Sequence, residues 1–351
     1  MHNIISKLTR NLKVWSIVGL LLGLVSSGYA ENPDPAAAAV KPLAQLQADF
    51  LSWKFGLFLH FNIATFNGQE WANGYEDPLT FAPTNLDCGQ WAEAAQAAGM
   101  KYAVLTVKHT EGYPLWDSAG TTHDITAFKN FKNGQGDVVR EFVDAFRARG
   151  LKVGFYYCAP GNYDNRYGNT LPTNQPSLHG MPPEAQGDYA GCMRQEFTEL
   201  LTRYGPIDLI WCDQYKVKLK TKEWADLKAL IHQLQPNCLV IANNSHKLSE
   251  TDIYSYEYPI YKNEKGFPPV TNTVPSEVCD TIVNSGNWFW QPGLETHLRS
   301  AADVVGALNK CNDRQANYLL DVGPNRAGRI ADAFVARLKE IGDLRRAQGL
   351  K

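Results

Sequence analysis

Along the chain, short apolar runs alternate with longer segments whose apolar positions recur every three to four residues. Phe55-Gly-Leu-Phe-Leu-His60 has no polar position before its last residue, the pattern of a strand buried on both faces. Cys88 to Met100 predicts a helix closed by Gly99, and Tyr102–Val107 a second strand. Asp137–Arg149 places Val138, Val139, Phe142, Val143 and Phe146 at helical spacing, with Gly150 as the stop. Val153–Cys158 reads as a third strand, Tyr189–Tyr204 as a third helix and Ile207–Asp213 as a fourth strand. A helix at Trp224–Leu234 and a strand at Cys238–Ala242 follow. Asp252–Glu257 reads as a further strand end, Asn317–Val322 as a late strand, and the stretch from about Asp332 to Arg346 as a final helix.

Repeated strand–helix alternation predicts a parallel sheet. An open, doubly wound sheet fits the pattern as well as a barrel does, and two features favour the barrel. No Gly-rich phosphate loop follows the first strand. Polar or charged residues also close several different strands: His60, Lys108-His109, Tyr157, Asp213 and Asn243-Asn244. Barrel enzymes gather their chemistry at that face. The expected fold class is therefore α/β, a (β/α)8-like (TIM-type) barrel with room for irregularity.

The first thirty residues change the picture of the whole chain. Lys7, Arg10 and Lys13 precede an apolar run from Val14 to Val25, too short to cross a bilayer, and Gly28-Tyr29-Ala30 offers small residues for cleavage. The expected organisation is a signal peptide at 1–30, a Pro/Ala-rich linker at 31–42 and one catalytic domain at 43–351. The mature chain would be secreted or periplasmic, with no stable membrane insertion. Its formal charge would move from -2 to -5 as three cations and no anions leave. The low charge gives no footprint for nucleic acid. The seven cysteines form no CxxC pair with metal-site spacing, and no HExxH occurs, so neither metal nor cofactor is expected. Nine Trp and 16 Tyr supply flat apolar faces of the kind that pack on sugar C–H faces, although such residues also build ordinary cores.

Candidate chemistry centres on carboxylates. Asp213 ends an otherwise apolar strand, where a charge is costly unless it meets a polar pocket. Helix capping or a loop ion pair would also account for an isolated strand-end Asp, but Trp211 and the tight Tyr204-Gly-Pro-Ile entry tip the reading towards a site. A partner carboxylate is available in Glu257, Glu277 or Asp280. His60 and His109 close two strands and suit hydrogen bonding to hydroxyls. Glu70-Trp71, flanked by Gly68 and Gly74, pairs a two-acceptor carboxylate with an aromatic face. No GxSxG elbow, P-loop or Ser/His/Asp arrangement is present.

Five segments in order resemble glycoside hydrolase family 29, the α-L-fucosidases, collinear from about Trp53 to Ile330. They are Lys54-Phe-Gly-Leu-Phe-Leu-His60-Phe with Glu70-Trp71; Lys101 to Trp116, similar to the family's Lys-His-His-Asp-Gly-Phe segment; Gly150-Leu-Lys-Val-Gly-Phe-Tyr-Tyr157; Tyr204 to Asp213; and Asn317-Tyr-Leu-Leu-Asp-Val-Gly-Pro-Asn325. The resemblance implies a retaining exo-α-L-fucosidase that acts on a fucosylated oligosaccharide or glycoconjugate. It places Asp213 as nucleophile and Glu257 as acid/base, with Glu277 as the alternative. It places His60, Glu70, Trp71, His109, Tyr157, Trp211 and Trp288 around the fucose. The spacing to Glu257 and the segment Glu277–Trp290 resemble the subgroup preferring α-1,3/1,4 linkages. A related glycosidase of other sugar specificity, or a carbohydrate-binding protein with a lapsed site, is the rival reading. Thr110 departs from a second His common in the family, and Gln214-Tyr215 from a frequent Gly. The family's C-terminal β-sandwich is expected to be missing.

Overall fold

The computed structural model describes residues 39–159, 188–217 and 219–349. The expected signal segment and all of the linker before residue 39 lie outside the described residues. Eight parallel strands form one sheet: β1 (Phe55–Leu59), β2 (Tyr102–Lys108), β3 (Lys152–Cys158), β4 (Leu209–Asp213), β5 (Leu239–Ala242), β6 (Tyr254–Glu257), β7 (Ser276–Thr281) and β8 (Ala316–Asp321). The sheet curls into a nearly closed barrel because β1 pairs with both β2 and β8, as expected from the alternating pattern. Helices α1 (Leu43–Trp53), α2 (Ile63–Asn67), α3 (Cys88–Ala98), α4 (Val138–Arg147), α5 (Tyr189–Arg203), α6 (Thr221–Leu234), α7 (Tyr258–Tyr261), α8 (Ala301–Asp313) and α9 (Asp332–Ala347) complete the fold.

Local chemistry explains the helix ends. Asp87 and Asp137 accept the backbone N–H of Gln90 and Arg140, satisfying donors that the first turns of α3 and α4 leave open. Gly99 closes α3 at φ 79°, a left-handed conformation that costs glycine little.

Strand side chains alternate between two apolar layers. Leu57, Leu105, Phe155, Ile210 and Val240 face the helices. Phe58, Val104, Tyr156, Trp211 and Ile241 fill the barrel interior. Gly56 occupies an interior position where a Cβ would lie 2.4 Å from the Tyr102 ring, so the missing side chain lets that ring cross the barrel. α1 plugs the N-terminal end. Its Phe50 and Trp53 pack on Tyr102 at ring-centroid distances of 5.8 and 5.5 Å, and Asn317 donates to the Phe50 carbonyl at 2.7 Å.

The barrel is irregular on one side. No helix connects β5 to β6, and no backbone ladder joins them; the described strand order begins at β5 and ends at β6. Side chains bridge this seam. Asp252 accepts the Val240 N–H on its carboxylate at 2.8 Å, and Thr251 accepts the Ala242 N–H at 3.0 Å. The Asp252 N–H also donates to the Val240 carbonyl at 2.7 Å. Burial opposes charge on Asp252, but His232 and Lys228, at 2.9 and 2.8 Å, outweigh it and hold the carboxyl below its ordinary range.

All seven cysteines are buried. Among the described residues no helix is long and apolar enough to cross a membrane.

Candidate active site

A pocket opens at the C-terminal mouth of the barrel. Asp213, the last residue of β4, and Glu257, the last of β6, both line it. Three donors orient Asp213: the Tyr156 hydroxyl at 2.9 Å, the Asn243 amide at 2.9 Å and the Gln214 N–H at 2.8 Å. Gln214 sits at φ 51°, in the left-handed region. That conformation accounts physically for the glycine frequent at this position in the resembling family.

Asn243 also donates to Glu257 at 3.0 Å, while its own oxygen accepts the Ser255 hydroxyl at 3.3 Å. The Ser255 contact turns the NH2 group towards both carboxylates. One nitrogen thus bridges Asp213 Oδ1 and Glu257 Oε2, and the two contacts laid end to end cap that oxygen–oxygen separation at about 6 Å. Asn244 adds a second amide to Glu257 at 3.2 Å. Burial pushes the Glu257 carboxyl up to about 7, and the charge of Asp213 adds to the shift against the pull of Asn243 and Asn244. A carboxyl in that range can give up and regain a proton near neutrality.

Aromatic rings and histidines form the walls. Trp211 stacks on Tyr156 at 5.3 Å, and Tyr156 on His109 at 5.6 Å. Trp288 lies 5.1 Å from the His60 ring. Trp71, 60% exposed, stands at the rim. His60 is almost fully buried, with Nδ1 2.6 Å from Asp321 of β8, so Nε2 is the edge left to the pocket. Burial lowers the imidazole and, for the same reason, raises Asp321.

Of the residues expected from sequence, His60, Trp71, His109, Trp211, Asp213, Glu257 and Trp288 meet in this pocket. Tyr157 does not: the expectation is corrected to Tyr156. Side chains alternate along β3, and Tyr157 turns outward, where its hydroxyl contacts Glu196 and lies 3.2 Å from Lys108 Nζ. Glu70 stands beside the pocket, not in its wall. Its carboxylate accepts from the Asn287 amide, the Trp288 N–H and the Gln291 amide, each at 2.8 Å, and so anchors the Trp288 loop.

Glu277 lies deeper in the barrel, fully buried, and accepts from the Tyr102 hydroxyl at 2.6 Å and the Trp211 indole at 2.8 Å. Burial raises its carboxyl to about 7, against those two bonds. It braces Trp211 from below and does not line the pocket. Asp280 points outward to Arg299 and Tyr318. Tyr156, Asp321 and the bridging role of Asn243 escaped sequence reasoning. Register is the signal that finds Tyr156, because it pairs with Trp211 as Cys158 pairs with Asp213. Among the described residues no group of three or more His, Cys, Asp or Glu is arranged to hold a metal ion.

Comparison with known proteins points to one family. The sequence profile of the Alpha-L-fucosidase family matches residues 72–349. The solved α-L-fucosidase isoenzyme 1 of Paenibacillus thiaminolyticus is 31% identical and superposes with a TM-score of 0.72, covering 88% of this chain and 76% of that one. The candidate α-L-fucosidase 1 of Oryza sativa subsp. japonica is 32% identical over 357 residues, and α-L-fucosidase 1 of Arabidopsis thaliana 28% over 345. These alignments cover 94% and 89% of this chain but only 65% and 62% of the plant proteins, so the chain spans just under two thirds of their length. The profile match over most of the barrel, together with the ordered strand-end residues, shows that the chain belongs to the α-L-fucosidase family.

Proposed function

We propose that the protein is an exported, retaining exo-α-L-fucosidase that removes terminal α-1,3/1,4-linked fucose from oligosaccharides or glycoconjugates through a covalent fucosyl-enzyme. The observation that carries this reading is the pair Asp213 and Glu257, joined through one amide nitrogen of Asn243. Retaining glycosidases hold their two carboxyl groups about 5–5.5 Å apart and inverting ones about 6.5–9.5 Å apart. The ceiling of about 6 Å set by the shared amide favours the retaining arrangement.

In this mechanism an Asp213 oxygen attacks the anomeric carbon. The bond to the leaving oxygen breaks as Glu257 delivers its proton there. Water then attacks the same carbon, giving a proton back to Glu257 and releasing fucose from Asp213. Burial of Glu257 supplies the protonated starting state. Trp211 and Trp288 offer apolar faces for the sugar ring and its methyl group. Export rests on the basic and apolar pattern of residues 1–30 and would place the mature chain in the periplasm or outside the cell. The linkage preference rests on the likeness of the segment from Glu277 to Trp290 to one subgroup.

Lewis-type trisaccharides, 2'-fucosyllactose and an aryl fucoside, compared as substrates, test the activity and the linkage together. The reading expects release from the aryl fucoside and the Lewis sugars, with 2'-fucosyllactose much slower. A 2-fluorofucosyl fluoride should label Asp213; labelling of another residue sinks the nucleophile assignment, and no release of fucose from any substrate sinks the activity.

A further inference from the structure

Glu111 is a fully buried carboxyl whose two oxygens both lack a hydrogen-bond donor. His109 Nδ1 lies 3.5 Å from Oε2, and the His109 ring lines the pocket. The backbone delivers it there firmly. His123 Nε2 lies 3.0 Å from the Glu111 carbonyl, and the Gly112 N–H returns to the His109 carbonyl at 3.0 Å. Thr110 resolves the direction of the His109 hydrogen bond. Its single hydroxyl proton goes to the Ala72 carbonyl at 3.0 Å, so towards His109 Nδ1, 3.3 Å away, its oxygen can only accept. Two acceptors, Thr110 Oγ1 and Glu111 Oε2, therefore face Nδ1, and the proton belongs on that nitrogen.

We propose that Glu111 is a positioning residue: it holds His109 with Nδ1–H turned inward, so that Nε2 faces a hydroxyl of the bound sugar. Nothing in folding calls for a carboxyl at this spot. Burial pushes it above its ordinary range, and contact with His109, helped by the Glu111 backbone N–H, pulls it part of the way back. A group that weakens the fold and touches one pocket residue has the signature of a site retained for function. The proposal rests on the fucosidase reading for the identity of the sugar, though not for the state of His109.

Two measurements on the full chain test it. The first is 15N NMR of the imidazoles, with His109 assigned by loss of its signals in His109→Gln. The proposal expects a protonated Nδ1, and an unprotonated Nδ1 overturns it whatever the substrate proves to be. The second is kcat/KM for an aryl fucoside and its 2-, 3- and 4-deoxy forms. In His109→Ala the penalty for one missing hydroxyl should collapse by tenfold or more, which identifies its partner. Glu111→Gln should lose the penalty at that same hydroxyl and keep the other two, with thermal stability equal to or above wild type. Equal losses at all three positions, or an unchanged penalty at the His109 hydroxyl, would refute the positioning role. If Glu111→Gln does not accumulate folded, Glu111→Asp, which withdraws the charge by one methylene, carries the same hydroxyl-specific expectation. A wild-type chain inactive on the parent fucoside refutes the fucosidase reading, while the NMR result still decides the role of Glu111.

Discussion

Asn244 gives the cleanest handle on the proposed acid/base. Its side-chain amide reaches Glu257 alone, at 3.2 Å, whereas Asn243 contacts both carboxylates. Asn244 also sits at φ 55°, so alanine would add backbone strain, and glycine removes the amide without it. A hydrogen bond to a charged group is worth about 1.5–3 kcal/mol, and each pH unit corresponds to about 1.4 kcal/mol. A contact of 3.2 Å from an exposed donor belongs well below that range, so roughly half a unit to one unit is expected. The sign follows from which form the bond favours. The amide donates to the carboxylate, so its loss disfavours the anion and raises Glu257 above its value of about 7. General-acid catalysis needs the proton, so the alkaline limb of kcat/KM should move upwards in Asn244→Gly. The assay is release of an aryl leaving group from pH 4 to 9.5, with wild type alongside. An alkaline limb that stays in place or moves down refutes the assignment of Glu257. A shift confined to the acid limb would instead tie Asn244 to the nucleophile.

Glu257→Ala should lose most turnover and recover part of it with azide on an activated fucoside. Glu277→Ala should show no azide rescue and should unfold more easily by about 2–4 kcal/mol in urea, because the Tyr102 hydroxyl and Trp211 indole lose their buried acceptor. Glu257 also links stability to pH. The unfolded chain ionises near 4.5 and the folded one near 7, so the folded state holds the extra proton and stability falls as pH rises between those values. Over that window wild type should lose about 3 kcal/mol relative to Glu257→Gln, and the difference should be flat above it; a difference that shrinks with rising pH contradicts the burial argument. Asp252→Ala should cost about 3–5 kcal/mol in thermal or urea unfolding, since it strands the Val240 N–H, His232 and Lys228 at the seam. A loss under 1 kcal/mol would mean that the seam is held by something else.

The alternation of buried strands and amphipathic helices was legible wherever burial is apolar, as in β1 through β5 and in α3 and α4. β7 was not read as a strand because Ser-Glu-Val-Cys-Asp-Thr looks polar. All six residues are nevertheless buried, Glu277 satisfied by Tyr102 and Trp211, and Asp280 by Arg299 and Tyr318. Partners that cancel the cost of burying a carboxyl lie far away in sequence and leave no local trace. The plug α1 and helix α8 also went unread. The strand pattern does not separate Tyr157 from Tyr156, for a related reason. A parallel strand covered on both faces is apolar at every position, so its pattern does not say which side chains enter the barrel. Asp213 stood out because a charge is costly at the end of an apolar strand, although only its neighbours separated a pocket from a helix cap or a loop ion pair.

Among the described residues, seven strand pairs of the barrel are laced by backbone ladders, and the remaining joint, between β5 and β6, depends on Asp252 and Thr251. Asp213 and Asn243 stand on one lip of that joint and Glu257 on the other. The gap between the two carboxyl groups is thus set like the opening of a caliper, across the one junction among the described strands that no backbone ladder closes. Its adjusting screws are side chains, Asn243 above all. Substitutions there can tune the spacing of the proposed catalytic pair while every strand keeps its register, a freedom that a fully laced barrel would deny.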